Sequence, residues 1–498
     1  MQAASSPLKE VVNLGFFENW KNFFEGVKGV FRKSFMSSVT EVTKSSNITS
    51  DEMLERVDLW LNMYSGNAPW LSKNPQSLGL PAIIASEMAR MVTLEAEINI
   101  SGSKMATFID EQMKPVRKRL RTIVEYACAG GGIVLKPVVN GEKIDVETVQ
   151  ANMFYPTAYE SNGSITAGYF VYRKWIGKEV FSRLEYHELV GTTYTIKNTC
   201  YKSVTDENLG KQCSLTEVED WAEIDPEVVI EDMHGTEFAY IKIPIGNTID
   251  SHSPLGVSVY SRAVGLIRDA DEQYQRLLWE YEGGELAIDA SEDAFDTVDL
   301  EPKLPKGKER LYRTNALDIA LAKDSEIFKE WAPTLRDSNY MSGLNRLLMQ
   351  IEDACCLSRG TLSDAQVEAR TATELRINKQ RTYATIRDIQ TAVEDALNEL
   401  IYAMQTIALL YELCPDGDID VQCVWDDSII IDAEAERLRD QQEVSQGLMK
   451  KWEYRVKWYG EDEATAKAMV GEASELTDDE ILGFDKGKDP LKEPEAEE

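Results

Sequence analysis

Between Thr371 and Cys414 the chain places Ile386, Ile389, Val393, Leu397, Leu400, Ile401, Met404, Ile407 and Tyr411 at helical spacing. A Thr371-Ala372-Thr373-Glu374 capping box stands at one end and Pro415 just past the other. At 1.5 Å per residue this is roughly 60 Å of rod, and any fold for this chain has to accommodate it. Directly before the rod, LSRGTLSDAQVEARTATEL (residues 357 to 375) carries a glycine, few large apolar groups and mixed charge. The longest helical run is broken there, and the break needs a reason.

Periodicity outlines the rest. Helices are expected over Asp51 to Tyr64, Pro81 to Leu94 and Lys104 to Cys128, the last stopped by Gly130, Gly131 and Gly132. The period then changes to two. IVLKPVVNGEKIDVETV reads as a hairpin about Asn140-Gly141, and AGYFVYRKW, EVFSRLEYHELV and TTYTIKN continue an antiparallel meander to about residue 202. Ser253-Pro254-Leu255-Gly256 opens a new unit, and VSVYSRAVGLIRDADEQYQRLLWEYE reads as a long helix with a seam of Val259, Ala263, Leu266, Ile267, Ala270, Tyr274, Leu277 and Leu278. Gly283-Gly284 ends it. ELAIDA, ERLYRT and DIALA are short strands of a small insert running to about residue 335. A second helix follows, with its seam at Met341, Leu344, Leu347, Leu348, Ile351, Ala354 and Cys355. VQCVW is a strand, and helices are expected over about Asp432 to Lys451 and Glu461 to Gly471. The fold class is α+β. FFENWKNFFEGVKGVFRKSF (residues 16 to 35) has an aromatic face suited to an arm docking on the chain itself or a neighbour, with a membrane-surface helix as the alternative.

Composition removes several classes of function. A chain of 498 residues holds about three structural units. No apolar run has the length of a membrane span and no secretory signal opens the chain, so a cytosolic protein with no membrane partner is expected. Seven cysteines, an odd number without a CxxC pair, fit reduced thiols. The 53 basic and 86 acidic residues give a net charge of −33, a poor footprint for a protein that grips nucleic acid through Lys and Arg. Residues 425 to 498 hold 22 acidic and 10 basic side chains, the most acidic stretch.

Catalytic signatures are missing. The sequence has no GxxxxGK[ST] to cradle phosphates and no GxSxG. His187-Glu188 begins like a zinc-protease motif, but Gly191 stands where the second histidine belongs, and His234 and His252 have no evident partners. Asp416, Asp418 and Asp420 start like a calcium loop, yet Val421 and Asp427 occupy its glycine and glutamate positions, which favours a polar turn. Asp426, Asp427, Glu434 and Glu436 are the best set for a metal-dependent DNA-processing enzyme, with nothing to anchor the metal. No enzyme, cofactor or metal is therefore expected. Lys303, Lys306, Lys308, Arg310 and Arg313 form a compact basic cluster in the insert, either a solvated face or a contact for phosphate or an acidic partner.

The order of WLNMYSGNAPW, SPLGVSVYSRA, LSRGTLSD...RTATEL and DDSIIIDAEAERLRD resembles the portal proteins of tailed bacteriophages, particularly a siphophage branch, over roughly residues 50 to 470. The resemblance implies a portal fold: a helix-rich wing carrying an antiparallel sheet, a two-helix stem, a small α/β clip and a helical crown. By sequence the wing is 1–252 with its sheet at about 130–202, the first stem helix 253–283, the clip 284–335 and the second stem helix 336–357. A tunnel loop at 358–371, a long helix and wing return at 372–431, and a crown with an acidic disordered tail at 432–498 complete the mapping. It implies a homo-oligomeric ring, usually of about twelve subunits, at one capsid vertex. Double-stranded DNA enters and leaves through its axis, and the terminase large subunit and later the head-tail adaptor dock on the clip, with Lys303, Lys306, Lys308, Arg310 and Arg313 as candidates. Major capsid and scaffolding proteins are further partners. The setting is the virion, assembled in the bacterial host cytoplasm. The interruption before the rod then reads as the tunnel loop, whose Ser358, Arg359, Thr361, Ser363, Gln366 and Arg370 can meet the duplex. The alternative is a minor capsid or head protein without a channel.

Overall fold

The computed structural model describes residues 39, 48–71, 76–94, 96–205, 208–291, 297–298, 301–302, 311–315, 328–364, 372–425 and 433–474. The expected aromatic arm and acidic tail lie outside them. The chain divides into two compact units, 1–425 and 426–498.

In the first unit, α1 (Asp51–Tyr64) begins where the Ser50 hydroxyl accepts from the Met53 amide at 3.3 Å, and it buries Met53, Leu54, Val57, Trp60 and Leu61 on one face. Helix α2 (Leu80–Val92) follows with Pro81 in its first turn. Strand β1 (Glu97–Gly102) leads into α3 (Lys104–Gly130), which is capped by Ser103 and packs on α2. Gly131, at φ 90° and one of the three glycines expected to stop the helix, ends α3, which runs two residues past the expected Cys128.

Two antiparallel sheets carry the β-rich part. In the smaller, β2 (Gly132–Asn140) is central, flanked by β3 (Lys143–Gln150) and β10 (Ala239–Lys242). Asn140 pairs with Lys143, so the two turn residues are Gly141 and Glu142 instead of Asn140 and Gly141. The positive φ of 64° falls on Gly141, the first of the two, where only glycine is at ease. The larger sheet runs β4 (Phe154–Tyr159), β5 (Ile165–Ile176), β6 (Glu179–Val190), β7 (Thr193–Ser203) and β8 (Lys211–Cys213), with β9 (Glu227–Ile230) also on β7. The expected meander is present, but its opening hairpin belongs to the other sheet.

A buried polar cluster joins the two sheets. Lys136 of β2 donates to Glu185 of β6 at 2.8 Å and to the Tyr172 hydroxyl, and its Nζ lies 3.5 Å from Glu147. Arg183 reaches Glu185 at 3.1 Å and donates to Asn198 at 3.0 Å. His187, buried rather than surface-facing, sits between Glu185 at 2.7 Å and the Tyr194 hydroxyl at 2.8 Å. Burial alone raises a carboxyl pKa, but Lys136 and Arg183 outweigh it and hold Glu185 well below the usual range. Burial lowers His187 despite the pull of Glu185.

After β10 the segment 253–260 is a buried strap instead of the start of the expected helix. It crosses the end of α3 so closely that a Cβ on Gly256 would lie 2.1 Å from the Gly131 oxygen, and one on Gly131 would lie 2.5 Å from the Gly256 oxygen. Val259 N–H donates to Cys128 O at 3.0 Å and the Ser258 hydroxyl to the same oxygen at 3.2 Å. The regular helix α4 starts later (Val264–Gly283). Then come β11 (Ala287–Ser291), β12 (Thr297–Val298), β13 (Glu301–Pro302), β14 (Tyr312–Asn315) and β15 (Phe328–Trp331). Strand β11 is central, parallel to β14 and antiparallel to β15, so the insert is mixed as its short strands suggested; DIALA lies outside the described residues.

Helix α5 (Asp337–Ala354) packs along α4. The rod is α6 (Ala372–Leu410), 39 residues, with Ile386, Ile389, Val393, Leu397, Leu400, Ile401, Met404 and Ile407 all buried. It stops four residues short of Cys414. Beyond it β16 (Ile419–Val424) pairs with β1 in full antiparallel register.

The second unit holds α7 (Ala433–Ser445), α8 (Lys451–Tyr459) and α9 (Glu463–Ser474). The single helix expected over Asp432 to Lys451 is broken at Gly447, φ 73°, and α8 restarts with Glu453 accepting from the Lys450 amide at 2.9 Å. Buried Asp440 accepts from Trp458 Nε1 at 2.8 Å and from Lys457 at 2.7 Å.

Candidate functional site

The helical pair α4 and α5, with the turn that leaves α5 for the rod, is fixed by three buried acids. Each sits on an apolar seam where the spacing calls for a hydrophobic residue. Asp271, four positions after Ile267, is 2% exposed. Its carboxylate accepts from Trp70 Nε1 at 2.9 Å, the Ser77 hydroxyl at 2.9 Å and the Leu78 amide at 3.0 Å, tying the segment before α2 to the side of α4. Glu280, three after Leu277, accepts from the Arg336 amide at 3.1 Å, its Nε at 3.0 Å and its NH2 at 2.6 Å. This bidentate contact joins the end of α4 to the start of α5, and the hydrogen bonds from Arg336 lower the Glu280 pKa.

Glu352, eight after Leu344, is fully buried near the end of α5. The helix closes with the Leu357 amide donating back to Glu352 O at 2.9 Å and with Cys356 in the left-handed region, φ 58°, a position glycine usually takes. The chain then wraps round the Glu352 side chain. One carboxylate oxygen accepts from the amides of Gly360 at 3.1 Å, Leu362 at 2.5 Å and Ser363 at 2.8 Å, and the other from the Ser363 hydroxyl at 2.8 Å. Gly360, at φ 94°, lets the backbone turn its N–H inward. The Gly-Thr-Leu-Ser run is therefore a nest of donors for one carboxylate.

This geometry assigns places to the expected loop residues. Ser363 is buried and both its donors are spent on Glu352, so it is not among the groups facing outward. Half-buried Ser358 shares a hydrogen bond of 2.9 Å with Thr382 of α6. Arg359 is exposed but held by Asp353 at 2.7 and 3.2 Å, and its hydrogen bonds lower the Asp353 pKa. Exposed Thr361 donates to Ser358 O at 2.6 Å. Gln366 and Arg370 lie outside the described residues. Of the insert's basic cluster, Lys303, Lys306, Lys308 and Arg310 also lie outside them. Arg313 stands on β14 opposite Asp289 of β11 in register. Asp271, Glu280 and Glu352 were not singled out by sequence; their place on the seam was the available signal.

Among the described residues no three His, Cys, Asp or Glu side chains gather as a metal site, and no helix is long and apolar enough to cross a membrane. Asp416 of the calcium-like run accepts from the Gly417 amide at 2.8 Å, closing a polar turn after the rod.

Curated protein sequences give no match. Among solved structures, the neck of a native GTA particle computed with C12 symmetry is similar at 12% identity, covering 80% of this chain and 92% of that one, with a TM-score of 0.38. The family described as "Phage portal protein, SPP1 Gp6-like" matches residues 77–457, a span that takes in both antiparallel sheets, the helical pair with its three acids, the rod, α7 and most of α8. The chain belongs to this family of phage portal proteins.

Proposed function

We propose that the chain is one subunit of a closed ring, of about twelve copies, that occupies a single capsid vertex and conducts double-stranded DNA through its axis. A phage portal protein is a structural component of the virion and not an enzyme. In this reading 1–252 and 372–431 form the wing, 253–283 and 336–357, which hold α4 and α5, the stem, 284–335 the clip and 432–498 the crown, with residues 358–371 as the channel segment. The clip, through Arg313 and its neighbouring basic residues, docks the terminase large subunit and then a head-tail adaptor, while the wing faces major capsid and scaffolding proteins. Assembly takes place in the host cytoplasm.

The observation that carries this reading is the family match spanning the helical pair, the LSRGTLSD turn and the 39-residue rod in sequence. Charge supports it. At −33 per copy a ring offers a moving polyanion few cations to cling to, and Arg359 is already offset by Asp353. Deleting residues 365–370 spares the turn on Glu352 and tests the channel segment. The expected result is rings and heads that assemble while DNA filling or retention falls. Normal filling overturns the assignment of the segment to the channel.

A further inference from the structure

We infer that Glu352 is the positioning residue of the channel segment: its carboxylate fixes the root of that segment against the end of α5 through the amides of Gly360, Leu362 and Ser363 and the Ser363 hydroxyl. The inference rests on the channel reading above.

A stretch without helix or strand normally leaves its amides to water, and here three of them converge on one carboxylate that is fully buried. A charged acceptor with several N–H donors makes shorter and stronger hydrogen bonds than a neutral one. The clamp also reaches sideways. The Asp364 amide donates to Asn345 of α5 at 2.8 Å, and Ser358 meets Thr382 of α6 at 2.9 Å. The chain therefore leaves α5 along one fixed path before it can enter a channel. An arginine or lysine could hold a loop as firmly from the other side, but it would add a cation beside a passing polyanion. A carboxylate turned inward and covered by backbone N–H groups adds none.

The substitution Glu352→Gln keeps the size of the side chain but replaces one acceptor oxygen with a donor and removes the charge. Ser363→Ala deletes only the hydroxyl contact. Residue-resolved hydrogen exchange on the assembled ring is the first readout. In Glu352→Gln the amides of Gly360, Leu362 and Ser363 are expected to exchange roughly tenfold faster or more, with amides of α4 and α6 unchanged. Ser363→Ala is expected to shift the same amides less. The second readout is DNA filling of heads built with each variant, measured beside ring yield and thermal unfolding. Positioning predicts that filling falls while rings form and melt as in the wild type; a bracing role alone would lose filling only together with assembly.

Unchanged exchange in Glu352→Gln overturns the clamp. Freed amides with normal filling overturn its positioning role. If the 365–370 deletion also fills normally, the assignment of the segment to the channel fails, and the exchange result still reports on the clamp.

Discussion

In the sheet layers Glu185 is buried between two cations, Lys136 and Arg183, whereas in the helical pair Asp271 and Glu352 are buried against backbone amides, hydroxyls and an indole. The first arrangement fastens side chain to side chain across two sheets and is indifferent to the path of any loop. The second fastens side chain to backbone, so it dictates where a segment of chain runs. Glu280 lies between them, taking both the Arg336 guanidinium and its amide. Under the channel reading proposed above the difference is useful, because the helical pair fixes its joints with little net positive charge.

Breaking the sheet cluster should have the largest effect. Glu185→Gln leaves Lys136 and Arg183 buried without their shared anion, and a loss of about 3–5 kcal/mol in unfolding free energy is expected, read as a lower urea midpoint. The effect should be global.

Glu237 sharpens the comparison, being a buried acid with no ion pair among the described residues. Its Oε1 has no hydrogen-bond partner among them, and burial, aided by Glu185 and only partly opposed by Lys136, pushes its pKa up to about 7. The folded state therefore holds a proton that the unfolded chain releases near pH 4.5. Stability tied to this group is complete below that pH and is lost as pH rises towards 7, by up to about 3 kcal/mol. Relative to wild type, Glu237→Gln should gain stability at pH 8 and little at pH 4.5, as read by unfolding at both values.

The backbone-directed acids should give smaller, local effects. Asp271→Ala orphans Trp70 Nε1, the Ser77 hydroxyl and the Leu78 amide, and about 2 kcal/mol is expected, with faster exchange at Leu78 and none of the cooperative loss expected for Glu185→Gln. The smallest change concerns the helix end beside Glu352. Cys356 holds φ 58°, which costs an L residue about 1–2 kcal/mol, while glycine adds roughly 0.5–1 kcal/mol of chain entropy. Cys356→Gly should therefore stabilise by about 0.5 kcal/mol, measurable as a small rise in unfolding midpoint.

Much of this was legible from spacing. Helix α1 begins and ends at the residues expected, because Ser50 and the apolar stripe are both local signals. The strand after the rod was visible in VQCVW, but its partner β1 was not, since EINISG alternates only weakly and is defined by pairing with Ile419–Val424, more than 300 residues on. VSVY has the apolar content of a helix, yet it is a strap whose course depends on the contact of Gly131 with Gly256, and no window of sequence contains both. Gly447 was in plain view and breaks the helix drawn across it. In the candidate site, the turn and its glycine were legible. The direction of Ser363 was not, because the partner that turns it inward lies eleven residues back, on a helix where a glutamate reads as solvent-facing.

The account as a whole stands on closure into a ring around an axis. Imaging the purified protein in negative stain, with its particle mass measured in parallel, tests that most directly. The result it predicts is an annulus of about twelve copies with a central hole wide enough for a duplex. A compact particle of one chain with no hole would contradict it.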